Sequence, residues 1–252
     1  MTFPPYAVLA RNIEPASENR IHADDVAQQL GFSGALVPGV DVFAYVTAPL
    51  VTMWGPAWLA GGRIDVRFRR PVYDGEHVEV HGPADELRLV GPDGVVRAVG
   101  SAASPAAQQP RRLLPATPAP ATRVHTDALQ RGPLGTVDIR VTADDNASYL
   151  DAIAEPHPYY RDEGVAHPAG LLRMVNLILM SNVELGPWIH TASDCRLLAP
   201  AWLPATLSVR GDVTELFERN GSSYVRYDAL VLADETPVID VAHTAIYRLA
   251  GS

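Results

Sequence analysis

Two polar loops, one in each half of the chain, carry side chains that could do chemistry. The first contains Asn19 and His22, and the second contains Glu155 and His167. Imidazole and carboxylate groups can transfer protons when they are held against a reacting group. A histidine just before a helix can equally serve only to bond the backbone, with Asp24 as the helix cap. Both roles stay open for His22 at this point.

Each polar loop precedes a segment in which apolar side chains recur at helical spacing. We predict long central helices over residues 40–54 and 170–183. Pro49 lies inside the first and predicts a kink or an early end. We predict strands over residues 6–10, 63–68, 77–81, 86–90 and 95–101 in the first half, and 137–141, 189–197, 206–216, 223–233 and 238–248 in the second.

A stretch rich in proline and alanine separates the halves. Residues 102–122 contain five prolines, each of which removes a backbone donor and opposes a helix. This composition is typical of a semi-rigid linker. We therefore expect an N-terminal unit of residues 1–101, a linker of residues 102–122 and a C-terminal unit of residues 123–252. The same order of elements in both units predicts an α+β fold that arose by duplication.

Composition limits the classes of partner. The 252 residues carry a net charge of −9, and 47% of them are hydrophobic. A chain of this length can bury a large hydrophobic core. An acidic surface argues against binding to nucleic acid and to anionic membranes. A polyanionic ligand needs only a local basic patch, for which Arg67, Arg69 and Arg70 are candidates.

Cysteine and targeting signals are sparse. Cys195 is the only cysteine, so no disulfide can form within the chain, and no Cys/His cluster has the spacing of a zinc site. The apolar run over residues 169–180 is too short to span a bilayer. The first residues lack the pattern of a signal peptide, and we expect a cytoplasmic protein without membrane association.

The motifs resemble those of the MaoC-like branch of the hotdog superfamily, the (R)-specific enoyl-thioester hydratases and dehydratases. That family reads Asp-x-Asn-Pro-x-His, then Gly-Phe, then Val-His-Gly at the start of its central helix. The matching residues of the first half are Asn19, His22, Gly31, Phe32, Val37 and Gly39. The second half is similar to a degenerate form of the motif, with matches at Ala152, Ile153, Pro158 and Tyr160.

This resemblance covers both halves outside the linker and implies a double hotdog fold, in which two fused units each wrap an antiparallel sheet around a long helix. It implies addition or removal of water across the α,β double bond of an acyl thioester, carried by coenzyme A or by acyl carrier protein. No metal or cofactor is implied. Hotdog proteins tend to pair further, so a homo-oligomer of the fused units is expected.

The resemblance also assigns catalytic roles. In the family an Asp and a His hold the water, so His22 is expected to act as acid and base, with Asn19 positioning. The backbone N–H of Gly39 is expected to bind the thioester oxygen at the helix start. Ser17 stands where the family has its Asp, and Glu18 is the neighbouring carboxylate that could replace it. Pro38 takes the place of the family's second histidine.

Five residues are expected to contact substrate, and they are Ser17, Arg69, Glu155, Tyr160 and His167. His167 occupies roughly the place of the histidine in the family's Val-His-Gly motif. A composite site formed by His22 and Glu155 is a further alternative. Asn176, Asn182 and His190 lie in or just after the second central helix, and each is either a satisfied core group or a ligand contact.

The incomplete Asp/His pair keeps other functions open. The fold could retain an apolar cavity without the water chemistry and act as a thioesterase, an isomerase or a pericyclase. It could also bind acyl thioesters without catalysis. Hydration of trans-2-enoyl thioesters, thioester cleavage and binding without turnover separate these hypotheses.

Overall fold

A computed structural model describes residues 2–250 and confirms the α+β class. The elements of the first half are β1 (Tyr6–Leu9), α1 (Asp24–Gln29), α2 (Gly39–Trp54), β2 (Arg63–Phe68), β3 (His77–His81), β4 (Leu87–Val90) and β5 (Val96–Ala103). Those of the second are β6 (Val124–His125), β7 (Gly132–Val141), α3 (Ala143–Ala152), α4 (Tyr159–Asp162), α5 (Pro168–Asn182), β8 (Val183–Glu184), β9 (Ile189–Leu197), β10 (Ala205–Arg219), β11 (Ser222–Ala233) and β12 (Thr236–Arg248). The strand predictions agree within a few residues, except that β7 begins earlier.

The two units share one sheet. Ten strands follow the order β1-β3-β4-β5-β2-β9-β12-β11-β10-β7, and β6 pairs with β8 in a separate two-stranded sheet. The units meet where β2 pairs antiparallel with β9, which places Ile64 opposite Cys195 and Val66 opposite Ser193. We call this pairing the seam. Backbone hydrogen bonds across the seam join what the sequence presents as two separate sheets.

Ion pairs reinforce the seam on the solvent side. Arg63 of β2 donates two hydrogen bonds to the Asp194 carboxylate of β9, at 3.1 and 2.9 Å. Arg111 of the linker also reaches Asp194, at 2.8 Å. The bidentate contact between Arg63 and Asp194 fixes the orientation of both side chains, and therefore the register of the two strands.

The two central helices lie on one face of the sheet. Residues 40–51 of α2 are all buried, and α5 buries most of its length. The helix α2 continues through Pro49 to Trp54, so the predicted early end is wrong. Burial of the whole segment outweighs the one backbone hydrogen bond that proline removes. Among residues 2–250, no helix combines the length and the apolar character that a bilayer crossing requires.

The linker lies along the other face of the sheet. Leu114 is buried there in a small cluster with Leu230 and Leu232. Arg111 also forms an ion pair with Asp240, and Arg112 forms one with a third strand of the sheet. The proline-rich chain is therefore held in place by specific contacts, which its composition did not reveal.

Shortening a side chain at the seam should destabilise both units together. Ile64 is fully buried in β2, and Ile64→Ala should lower the free energy of unfolding by about 3 kcal/mol through lost burial and a residual cavity. Urea unfolding measures this loss, and hydrogen exchange should show earlier opening of both β2 and β9. The control Val95→Ala, at a 42% exposed turn residue, should change stability by less than about 0.5 kcal/mol. Faster exchange restricted to the first half would contradict a shared sheet.

Candidate active site

A cavity of about 1080 Å³ opens where the two units meet. Its wall is formed by the loop before α2, the start of α2, the end of β2, one side of α5 and the start of β9. Residues of β7, β10, β11 and β12 extend it. The polar residues on this wall that concern the site are Glu14, Ser17, Asn19, His22, Arg173, Asn176, His190 and Ser193. The first four come from the first half and the others from the second, so the cavity is shared between the units.

Asn19 fastens the first polar loop to the second half. Its side-chain oxygen accepts from the Trp188 N–H at 3.1 Å, and its side-chain nitrogen donates to the Trp188 carbonyl at 2.9 Å. The same nitrogen lies 3.3 Å from Nε2 of His22. Both ends of the amide are therefore used, and the orientation of Asn19 is set by the backbone of Trp188, 169 residues away and just before β9.

His22 is a buried, neutral imidazole. Its Nδ1 lies 2.7 Å from the Leu36 carbonyl oxygen, and because a carbonyl oxygen only accepts, Nδ1 must carry the proton. The lone pair is then on Nε2, which accepts from the Asn19 side-chain nitrogen at 3.3 Å. Burial lowers the pKa of His22, with the bond to Leu36 and the charge of Glu14 opposing that shift. The side chain is thus poised to accept a proton at neutral pH.

Gly39 begins α2 and lines the same cavity as His22. No side chain caps the helix, whose N-cap is Pro38, so its first N–H groups lack intrahelical partners and carry partial positive charge. A Cβ on Gly39 would lie 2.8 Å from Nδ1 of His190. Only glycine fits this close approach, and its N–H can receive an oxygen from the cavity.

Glu14 lies outside the recognised motif and contributes a carboxylate to the cavity wall. It forms an ion pair with Arg173 of α5, which also donates to both oxygens of Asp41 in α2, at 2.7 and 3.0 Å. Tyr149 donates to Asp41 at 3.0 Å. Burial raises the pKa of Asp41 to about 6. The network fixes the loop, α2 and α5 relative to one another.

Asn12 holds Glu14 close to the histidine. Its side chain donates to the His22 carbonyl at 2.8 Å and accepts from the Glu14 N–H at 3.2 Å. One amide therefore bridges the backbones of the two residues whose side chains line the cavity. The first half supplies an imidazole and a carboxylate at this end of the site.

Two further histidines, His190 and His243, pack beneath the start of α2. Nε2 of His190 lies 2.8 Å from the Ser193 hydroxyl, which lies 3.0 Å from Nδ1 of His243. The two imidazoles are stacked at 4.1 Å. Burial lowers the pKa of His190 to about 3 and lowers the pKa of His243 well below its usual value. Both rings are therefore neutral and form a polar support behind Gly39.

The remaining predicted residues of the first half have different locations. Ser17 lines the cavity, and its hydroxyl accepts from the Asn19 N–H at 3.2 Å. Glu18 points to solvent and pairs with Arg123 at 2.9 Å, outside the cavity wall. Arg69 is an exposed residue of the wall, and its side chain has no partner among residues 2–250.

The second polar loop forms a separate buried cluster. His167 caps α5, accepting from the Ala169 N–H at Nδ1, while its Nε2 lies 3.2 Å from the Glu155 carboxylate. The Tyr160 ring packs 4.6 Å from His167. None of Glu155, Tyr160 and His167 lies on the wall of the cavity. The structure therefore does not bring Glu155 to His22, and the second loop fixes the start of α5 instead.

Sequence reasoning missed Glu14 and gave Arg173 no role. A charged residue in an apolar helix implies a buried partner, so Arg173 was a usable signal. Its partner was not identifiable, because Glu14 is 159 residues away. Of the three polar residues weighed near α5, Asn182 is a satisfied core group with three hydrogen bonds. Asn176 lines the cavity, and its oxygen has no partner among residues 2–250.

Solved structures with this architecture include a MaoC-like dehydratase, which is 14% identical and has a TM-score of 0.60, with 97% of this chain and 98% of that chain covered. A Chloroflexus aurantiacus J-10-fl protein with a MaoC domain is 12% identical, has a TM-score of 0.64 and covers 99% and 95% of the two chains. A conserved hypothetical protein of Mycobacterium tuberculosis, described as a double hotdog, is 13% identical, with a TM-score of 0.64 and 96% and 95% coverage.

No protein-family model and no curated protein matches the sequence. The structural likeness extends over the full length of the chain, and it identifies the architecture as a double hotdog. The fold prediction is therefore confirmed. At sequence identities of 12–14%, these similarities establish a shared fold and nothing about activity.

The protonation state of His22 can be measured directly. In ¹⁵N-histidine NMR spectra, His22 should be the neutral tautomer with the proton on Nδ1, and its titration midpoint should lie below the ~6.5 of a free histidine. The urea-unfolded protein provides the reference titration. Asn19→Asp, which puts a carboxylate beside Nε2, should raise the midpoint by about one unit or more. A His22 that titrates at or above the unfolded reference would contradict the buried, neutral assignment.

Proposed function

We propose that the protein adds water to, or removes it from, the α,β double bond of an acyl thioester. One observation carries the proposal: a neutral imidazole with its lone pair on Nε2 shares a cavity with the uncapped start of α2. The imidazole can take a proton from water. The helix start can stabilise the negative charge that develops on the thioester oxygen.

The proposed hydration begins with a thioester carbonyl bound at the Gly39 N–H. Nε2 of His22 takes a proton from a water molecule as the water oxygen bonds to the β-carbon. Electron density moves through the α-carbon to the thioester oxygen, which is held at the positive end of α2. The protonated His22 then returns its proton to the α-carbon, so the atoms balance and the imidazole is regenerated.

Glu14 is proposed to orient the water. The family-type aspartate is absent, because Ser17 stands at its position, and Glu14 is the carboxylate that lines the cavity with His22. It forms an ion pair with Arg173, and an ionised carboxylate accepts hydrogen bonds without donating. Glu14 can therefore accept a hydrogen bond from the O–H that remains on the water oxygen, while His22 takes the other proton.

The acyl group and its carrier would use different parts of the wall. Val40, Val42, Met174 and Leu177 supply apolar surface for an acyl chain. Arg69 and Arg70 are exposed wall residues suited to the phosphate of a carrier arm. The proposed substrate is thus a thioester of coenzyme A or of acyl carrier protein.

Replacing His22 should abolish hydration. With crotonyl-CoA as substrate, His22→Ala should lower kcat/KM by roughly 100-fold or more, the usual contribution of a general base. Loss of the enoyl absorbance measures the rate.

The wild-type kcat/KM should fall as the pH drops through the lowered pKa of His22, because the imidazole must be neutral to accept a proton. Glu14→Gln should reduce kcat while circular dichroism stays unchanged.

Matched variants separate chemistry from folding. His77→Ala removes an exposed histidine of β3 and should leave hydration unchanged. Hydration that survives His22→Ala would refute the assigned base. Release of free thiol without hydration would instead favour a thioesterase, and binding without turnover would favour an acyl-binding protein.

A further inference from the structure

A groove on the sheet face opposite the helices continues from the candidate active site. Val225 and Ala245 point into the core, so their neighbours Tyr224 and Ile246 point to the opposite face. Tyr224 lies opposite Ile246, and Ile246 lies opposite Ile189 at the start of β9. With strands ~4.8 Å apart, Tyr224 lies about 10 Å from Ile189. All three outward-facing residues belong to the cavity wall.

An aromatic pair stands at the far end of this groove. Phe217 of β10 and Tyr224 of β11 stack with ring centroids 5.0 Å apart and an interplanar angle of 15°. Both rings are partly exposed. The Arg226 guanidinium lies over the Phe217 ring, 5.4 Å from its centroid. Flat, partly exposed rings with an adjacent guanidinium form a surface on which a planar heterocycle can stack.

The floor of the groove is small and its edges are basic. One cross-strand row runs Arg67, Ala192, Thr244, Arg226, with two short side chains between the arginines. Arg219 is a further exposed wall residue whose side chain has no partner among residues 2–250. Arg67 is paired with Asp65 at 3.2 Å, and Arg226 is paired with Glu215. Arg219 is therefore the cation at this end of the groove that can attract an anionic ligand.

We infer that this groove binds the nucleotide end of coenzyme A, so that the substrate carrier is coenzyme A rather than a carrier protein. The adenine stacks on the exposed side of the Phe217–Tyr224 pair, and Arg219 faces its phosphates. The pantetheine arm then lies over the small floor towards Ile189 and the candidate active site. The inference rests on the proposed function for the acyl end, whereas the nucleotide site itself does not require catalysis. A carrier protein presents the same arm without a purine and would leave the aromatic pair unused.

Binding of adenosine 3′,5′-bisphosphate, which carries no acyl group, tests the nucleotide site. Isothermal titration calorimetry on the full chain should show saturable binding. Tyr224→Ala and Phe217→Ala should each weaken binding roughly 10-fold, from the loss of one stacking contact. Arg219→Ala should weaken binding and reduce its dependence on salt concentration. Trp202→Ala, at a 54% exposed aromatic residue away from the cavity wall, and Arg140→Ala on β7 are the matched controls.

Kinetics distinguish this inference from the proposed function. For Tyr224→Ala, the ratio of kcat/KM for crotonyl-CoA to that for crotonyl-pantetheine should fall roughly 10-fold. An unchanged ratio, or failure of the bisphosphate to bind the wild-type protein, would overturn the nucleotide site. A lower KM for a crotonyl carrier-protein thioester than for crotonyl-CoA would also overturn it. Bisphosphate binding without any hydration would leave the nucleotide site standing and refute the proposed hydratase.

Discussion

The pairing of β2 with β9 is the constraint on which the rest of the structure depends. It turns two hotdog units into one ten-stranded sheet and fixes the two central helices on the same face. Arg63 and Arg111 converge on Asp194 across this seam. Because the two strands are antiparallel, β2 ends and β9 begins at the same end of the sheet. The loop before α2 contacts the second unit there. The cavity exists because these two strand ends are brought together.

Asn19 shows how the seam becomes a site. Its amide bonds Trp188 just before β9 and contacts His22, so a change in the seam would move the imidazole. Net hydrogen-bond contributions are about 1 kcal/mol each, and their main effect here is orientation. The second ion-pair network, through Arg173, holds Glu14 against the same cavity. The two units are unequal: one provides the imidazole and carboxylate, and the other provides their supports.

Local patterns predicted the fold well, because strand and helix periodicity is written in neighbouring residues. The motif around His22 also named Asn19, His22 and Gly39, which the structure places on the cavity wall. Contacts between distant segments were not predictable. Glu14 acquires its place only through Arg173, and Glu155 is withdrawn into a contact with His167. Composition described residues 102–122 as a linker but could not show its attachment to the sheet.

The most direct test of the account is a crystal structure with an unreactive enoyl-CoA analogue, in which an amide nitrogen replaces the thioester sulfur. The acyl carbonyl oxygen should lie within about 3.2 Å of the Gly39 nitrogen, and the β-carbon should face Nε2 of His22. An acyl group bound beside Glu155 and His167, with the cavity at the seam empty, would contradict this placement.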